Sequence, residues 1–200
     1  FVPEISTVED MTLFPLIWKP EFDRYKMKLG EHVLVYLARY NKDKMIKELT
    51  KIKDTTFKVY GFNYDDAINN VEMKKTEREG FIRDLTSAKF IITNGGFSLG
   101  WECCLANKLI WMIPHANNYE QLTNAYRLQK LGRAFVTEEL TTEDMKEFEK
   151  QAEKIDYTPE INLPILPASV LMEQAYRQIA YHAGEQENKN SKYGSLTVIG

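Results

Sequence analysis

The stretch Ile91-Ile92-Thr93-Asn94-Gly95-Gly96-Phe97-Ser98-Leu99-Gly100-Trp101-Glu102 decides how this chain folds. It opens with an apolar, β-branched run, breaks at a double glycine and resumes as a helix through Cys103, Cys104, Leu105 and Ala106. Strand, glycine turn and helix N-terminus in that order form an anion site, because unpaired N–H groups and the helix dipole both point over the turn. Without a Cβ, Gly95 and Gly96 let a ligand approach the backbone closely. A bare Gly-Gly is also the punctuation of an ordinary βα turn. Ser98 is the natural N-cap in this pattern, so a capping-box acid would fall at Trp101, and Glu102 lies one residue beyond it. Its carboxylate is not needed by the cap and is placed to face a ligand one turn inside.

Working outward, Lys108 to Pro114 reads as another buried strand, and Asn118 to Ala125 opens another helix. Two successive strand–loop–helix units put both polar loops on one edge of a parallel sheet, where open α/β folds bind ligands. Upstream, His32 to Leu37 is a β-prone strand, Asn41 a helix N-cap, and Met45, Ile46, Leu49 and Ile52 a helical stripe. Arg39 falls in the loop at the ligand edge, where it either grips a diphosphate or stands as a solvated loop arginine. Phe57 to Phe62 is a second strand, followed by a polar loop through Asn70 and a short apolar patch, Val71 to Met73. Thr76 to Glu79 matches a capping box, which makes Glu79 structural, and Phe81, Ile82 and Leu85 give the next helix its inner face. Downstream, Gly132 ends a helix, Ala134 to Val136 is a short strand, and a helix from Thr141 lines up Met145, Phe148, Ala152 and Ile155. These elements predict an α/β, Rossmann-like domain with a mostly parallel sheet and helices on both faces.

Asn94-Gly95-Gly96-Phe97-Ser98, Glu102, Ile113-Pro114, Glu120-Gln121 and Asn124-Ala125 together resemble the C-terminal, donor-binding half of a GT-B glycosyltransferase. The similarity is strongest from about Val33 to Gly132 and is nearest to the MurG-type (family 28) N-acetylglucosaminyl transferases and their archaeal relatives. Leu109 stands where that group usually has proline, and Asn107 replaces a glycine. The resemblance implies a UDP-sugar donor, with UDP-N-acetylglucosamine or a near relative foremost. The segment Gly95, Gly96, Phe97, Ser98, Leu99 and Gly100 would meet the diphosphate, Glu102 the ribose hydroxyls, and Glu120 and Gln121 the sugar. Met73 and Lys74 would lie against the nucleobase through their backbone. No metal or other cofactor is implied. An inverting reaction needs a base, which the resemblance places on an absent N-terminal acceptor domain; within this chain His115 is the candidate, or else polar loop surface. Two alternatives share these features: half of a UDP-sugar 2-epimerase, which would need no acceptor, and a non-catalytic UDP-sugar-binding subunit beside a partner chain.

The remaining residues bound the problem. At 200 residues, 44% hydrophobic and net charge −3, the chain suits one domain of ordinary core size and lacks the basic stripe of a nucleic-acid binder. Its two cysteines, Cys103 and Cys104, are adjacent on a buried helix, which suggests a reducing cytoplasm and no disulfide framework. No apolar run approaches the ~20 residues that span a bilayer, though the resemblance allows a lipid acceptor at the inner face of a membrane. Trp101 and Trp111 read as core, His32 and His182 carry no pattern, and Lys42 to Lys53 is a solvated helix face. Residues 1–28 read as an interdomain connector, 29–160 as the nucleotide-sugar domain, 161–184 as a connector and a helix turned toward the missing domain, and 185–200 as a polar tail. On this reading the chain is a C-terminal fragment, inactive by itself. It awaits its acceptor domain in cis or in trans, and dimerises through Leu13, Phe14, Leu16, Ile17 and Trp18.

Overall fold

The computed structural model describes residues 21–152 throughout, the backbone of 16–18, 20 and 165–167, and residues 172, 173, 176 and 177. The chain divides into two units, Phe1–Pro20 with Asn162–Gly200, and Glu21–Ile161. In the first, strand β1 (Leu16–Trp18) pairs in parallel with β9 (Ile165–Pro167), so both stretches read as connectors contain a strand. Ile155, most of the helix expected from Ser169 to Ala183, and the tail lie outside the described residues.

The second unit holds a seven-stranded sheet in the order β4-β5-β3-β2-β6-β7-β8. Its strands are β2 (Val33–Tyr36), β3 (Phe57–Tyr60), β4 (Asp66–Ile68), β5 (Val71–Met73), β6 (Ile91–Thr93), β7 (Ile110–Met112) and β8 (Ala134–Val136). All neighbours are parallel except β4, which pairs antiparallel with β5. β4 was expected as loop. Asp66 and Ala67 are exposed, so this edge strand shows no apolar pattern, and its hairpin turns at Asn69 with φ 55°. Asn70 then ties the turn down by donating to Ile52 O and Thr55 O, both at 2.7 Å.

From β2 the chain moves outward to β3 and β5, then returns to the other side of β2 for β6, β7 and β8. Right-handed crossovers in opposite directions put their helices on opposite faces. Helices α1 (Lys42–Leu49) and α5 (Thr142–Ala152) cover one face, where Met45, Leu49, Met145 and Phe148 join Val33, Val35, Phe57, Val59 and Trp111 in one core. Trp111 stacks on Phe148 at 6.0 Å, and its Nε1 donates to Thr137 Oγ1 at 2.8 Å, so a buried indole keeps a partner. Helix α2 (Arg78–Thr86) covers the other face, with Phe81 edge-on to Tyr36 and Tyr60. Helix α3 (Phe97–Leu105) packs there too, Gly100 meeting Met112 of β7, and α4 (Tyr119–Lys130) lies against it through Leu128. The central strands are buried on both faces, the condition that makes Val33–Val35 and Ile91–Ile92 continuously apolar. Among the described residues no helix is long and apolar enough to cross a membrane.

At the N-terminal edge of the sheet, Lys108 is 3% exposed and its ammonium donates to Ala88 O at 2.8 Å and to Lys28 O. Burial pushes its pKa down to about 8. The unfolded chain, with the ordinary lysine value of ~10.4, then holds this proton more tightly than the folded one. Stability should therefore be flat below about pH 8 and rise toward ~10.4, by on the order of 3 kcal/mol in all. Urea unfolding across that range should show the rise in the wild type and lose it in Lys108→Met. Equal slopes in the two proteins would assign the effect to other groups.

Candidate functional site

The order of the strands reverses between β2 and β6, and an open α/β sheet offers its ligand crevice beyond the carboxyl ends of the strands at such a point. Three loops meet that edge: 37–41 after β2, 94–96 after β6 and 113–118 after β7. They are cross-linked. Asn94 Nδ2 donates to Ile113 O at 3.1 Å, Asn124 Nδ2 to Gly95 O at 3.2 Å, and the His115 ring Nε2 to Ala38 O at 3.1 Å.

Gly95 sits at φ +86°, a conformation that favours glycine, and a Cβ there would lie in tight contact, 3.1 Å from Gln121 O. The turn is thus pressed against the start of α4. This packing also moves the helix start from where the sequence suggests it. The N-cap of α3 is Gly96, with no side-chain hydrogen bond, and Ser98 is the second residue of the helix. The ladder begins with Gly100 N–H to Gly96 O at 3.0 Å. The Gly100 amide is therefore taken, contrary to expectation, and the amides left to point over the turn are those of Phe97, Ser98 and Leu99. By contrast α1, α2, α4 and α5 are capped by Asn41, Glu77, Asn118 and Thr141. An uncapped helix start beside a polar crevice is a place where an anion completes the cap.

The other expected site residues divide. Gly100 serves packing: a Cβ would meet Leu128 Cδ1 at 3.2 Å and Met112 Cε at 3.3 Å. Met73 is the last residue of β5, at the carboxyl end of the strand; it is 2% exposed within the core, and its backbone pairs with both β3 and β4. Lys74 turns to Asp84 at 3.0 Å. Phe97 is exposed and lies edge-on to Trp101 at 6.1 Å, and Ser98 is exposed. Glu102 is 8% exposed, a burial that a carboxylate tolerates only with partners. Glu120 is exposed in the first turn of α4, where its charge suits the helix dipole. Gln121 is half-buried, and its Oε1 accepts the His115 N–H at 3.0 Å. A backbone N–H can only donate, so the amide orientation is fixed, and Nε2 is the end left without a partner among the described residues. Arg39 is exposed, at φ +64°, and its guanidinium has no partner among the described residues.

Two local expectations change. Glu77, not Thr76, caps α2, accepting Gly80 N–H at 3.3 Å, and Glu79 pairs instead with Arg24 at 2.7 Å. A larger cluster was missed. Asp84 of α2, 2% exposed, accepts from Lys58 Nζ at 2.8 Å, Tyr60 Oη at 2.7 Å and Lys74 Nζ at 3.0 Å, while the His32 ring reaches its backbone oxygen at 2.9 Å. Burial alone would raise the Asp84 pKa, but the hydrogen bonds from Lys58, Tyr60 and Lys74 hold it below the ordinary value. Burial, then the Asp84 carboxylate, pushes the Tyr60 phenol upward. The signal in the sequence was the alternation within β3, which places Lys58 and Tyr60 on one face of a buried strand.

The sequence profile described as "Glycosyl transferase family 1" matches residues 1–152. No curated protein matches the chain. Among solved structures, the glycosyltransferase SnogD from Streptomyces nogalater is 19% identical with a TM-score of 0.52, over 76% of this chain and 42% of that one. The glycotransferase of kitacinnamycin is 17% identical with a TM-score of 0.50, over 62% of this chain and 35% of that one. At those identities the likeness is one of fold, and this chain spans less than half the length of either structure. The MurG-type subgroup is a finer assignment than the profile makes.

Proposed function

Because the chain belongs to glycosyl transferase family 1, we propose that its seven-stranded unit binds the nucleotide-sugar donor of a sugar-transfer reaction, a UDP-hexose such as UDP-N-acetylglucosamine. The uncapped start of α3 over the Gly95–Gly96 turn carries this reading. As the sugar–phosphate bond breaks, negative charge grows on the leaving diphosphate. The amides of Phe97, Ser98 and Leu99 are already oriented toward that charge, as is the positive end of the helix dipole. Arg39, on the same edge and without a partner among the described residues, adds a full positive charge. Glu102 orients the ribose, and Gln121 offers Nε2 as a donor to an oxygen of the sugar, with Glu120 beside it. The acceptor surface and the base belong to a further domain, in the same chain or a partner.

Calorimetric titration with UDP, TDP, GDP and their sugars tests this reading, and UDP and its sugars should bind most tightly. Gln121→Ala should weaken the UDP-sugar roughly two- to tenfold, the value of one ordinary hydrogen bond, and leave UDP nearly unchanged. Parallel losses for both ligands would show that the substitution acts by loosening the 113–118 loop. Absence of binding by every nucleotide would end the donor-site reading.

A further inference from the structure

The geometry points to His115 as a positioning residue, which holds the β2–α1 turn so that Arg39 faces the donor's diphosphate. The functional half of this rests on the donor-site reading above. Residues Leu37 to Tyr40 form a turn closed by Tyr40 N–H to Leu37 O at 3.1 Å. Arg39, its third residue, has φ +64°, whereas Ala38 is not among the positive-φ residues, which defines a type II turn. Glycine or asparagine normally takes that third position, and an arginine there adopts a conformation its Cβ disfavours. Such a residue persists where its surroundings over-determine it.

His115 supplies the determinant. Type I and type II turns differ in the orientation of the central peptide, here Ala38–Arg39, and the carbonyl of that peptide is the one that His115 holds. A carbonyl only accepts, so the ring donates from a protonated Nε2. The backbone N–H of the same histidine donates to Gln121 Oε1. One residue therefore ties the turn bearing Arg39 to the helix bearing Gln121, across 77 positions of sequence on one side and 6 on the other. Without the ring, the central peptide is released to turn over into a type I arrangement. Arg39 then returns to negative φ and its side chain leaves along a different direction.

Binding and amide hydrogen exchange together test the assignment. Arg39→Ala should weaken UDP about ten- to a hundredfold, the range for hydrogen bonds to a charged group. His115→Ala should reproduce most of that loss, and the double variant should bind no more weakly than Arg39→Ala alone, since both changes remove one contact. Uridine, which has no phosphate, should bind all four proteins alike. His115→Gln places an amide donor near the position of Nε2 and should restore UDP binding, a rescue that a proton-accepting role would not permit. In the absence of ligand, His115→Ala should speed exchange at residues 38–40, and His115→Gln should return it to the wild-type rate. Unchanged exchange in His115→Ala, losses that multiply in the double variant, or failure of glutamine to rescue would each overturn the assignment. If the wild type binds no UDP, the donor-site reading fails, and the exchange comparison by itself decides whether His115 holds the turn.

Discussion

Asp84→Ala is expected to remove about 3–5 kcal/mol of unfolding free energy, because truncating one member of a buried ionic cluster leaves its partners charged and uncompensated. Asp84 is 2% exposed and satisfies two ammonium groups and a phenol at 3.0 Å or less. The side chains of Lys58 and Lys74 are 21% and 27% exposed, so each has some access to water, which favours the lower end of that range. The Tyr60 hydroxyl sits at the end of β3 with its ring edge-on to Phe81, and it would lose its only described acceptor. Urea denaturation at neutral pH measures the effect. A loss under about 1 kcal/mol would mean that both lysines relax fully into solvent and that the cluster holds α2 only loosely. Because hydrogen bonds hold the Asp84 pKa below its unfolded value, the stabilisation is complete above the ordinary carboxylate range and is lost as pH falls through the lowered folded value.

Glu102→Gln is the second large effect, and it acts on ligand binding. If the Glu102 carboxylate accepts from the ribose hydroxyls, removing its charge should cost roughly 1.5–3 kcal/mol, about ten- to a hundredfold in affinity for UDP. Glutamine keeps the volume, which matters for a side chain only 8% exposed beside the buried Cys103. The sharper comparison uses 2′-deoxy-UDP. It should bind the wild type poorly and Glu102→Gln with little further loss, since the contact is already gone. Equal discrimination by both proteins would remove the ribose role and leave Glu102 as a structural member of α3. Circular dichroism of the variant separates a lost contact from a lost fold.

The sequence by itself determined the α/β class, the strand–glycine–helix unit from Ile91 to Glu102, the N-cap at Asn41, the helix opening at Asn118, the helix stop at Gly132 and the core positions of Trp101 and Trp111. Each of these is set within a few residues. Periodicity shows which face is apolar, and a capping side chain bonds an amide three positions away, as Asn41 does with Lys44. Tertiary structure decided the rest. The Gly95 turn, pressed on Gln121 O, starts α3 at Phe97 and makes Gly96 the cap in place of Ser98. Strand pairing buried Met73 and recruited Asp66–Ile68, whose exposed residues carry no pattern. Only the folded sheet brought Asp84 to Lys58 and Lys74, or His115 to Ala38. Any of several polar groups could have bonded any other. Strand order selected which ones met, and that order arises from the packing of the whole sheet, beyond the reach of any one stretch of sequence.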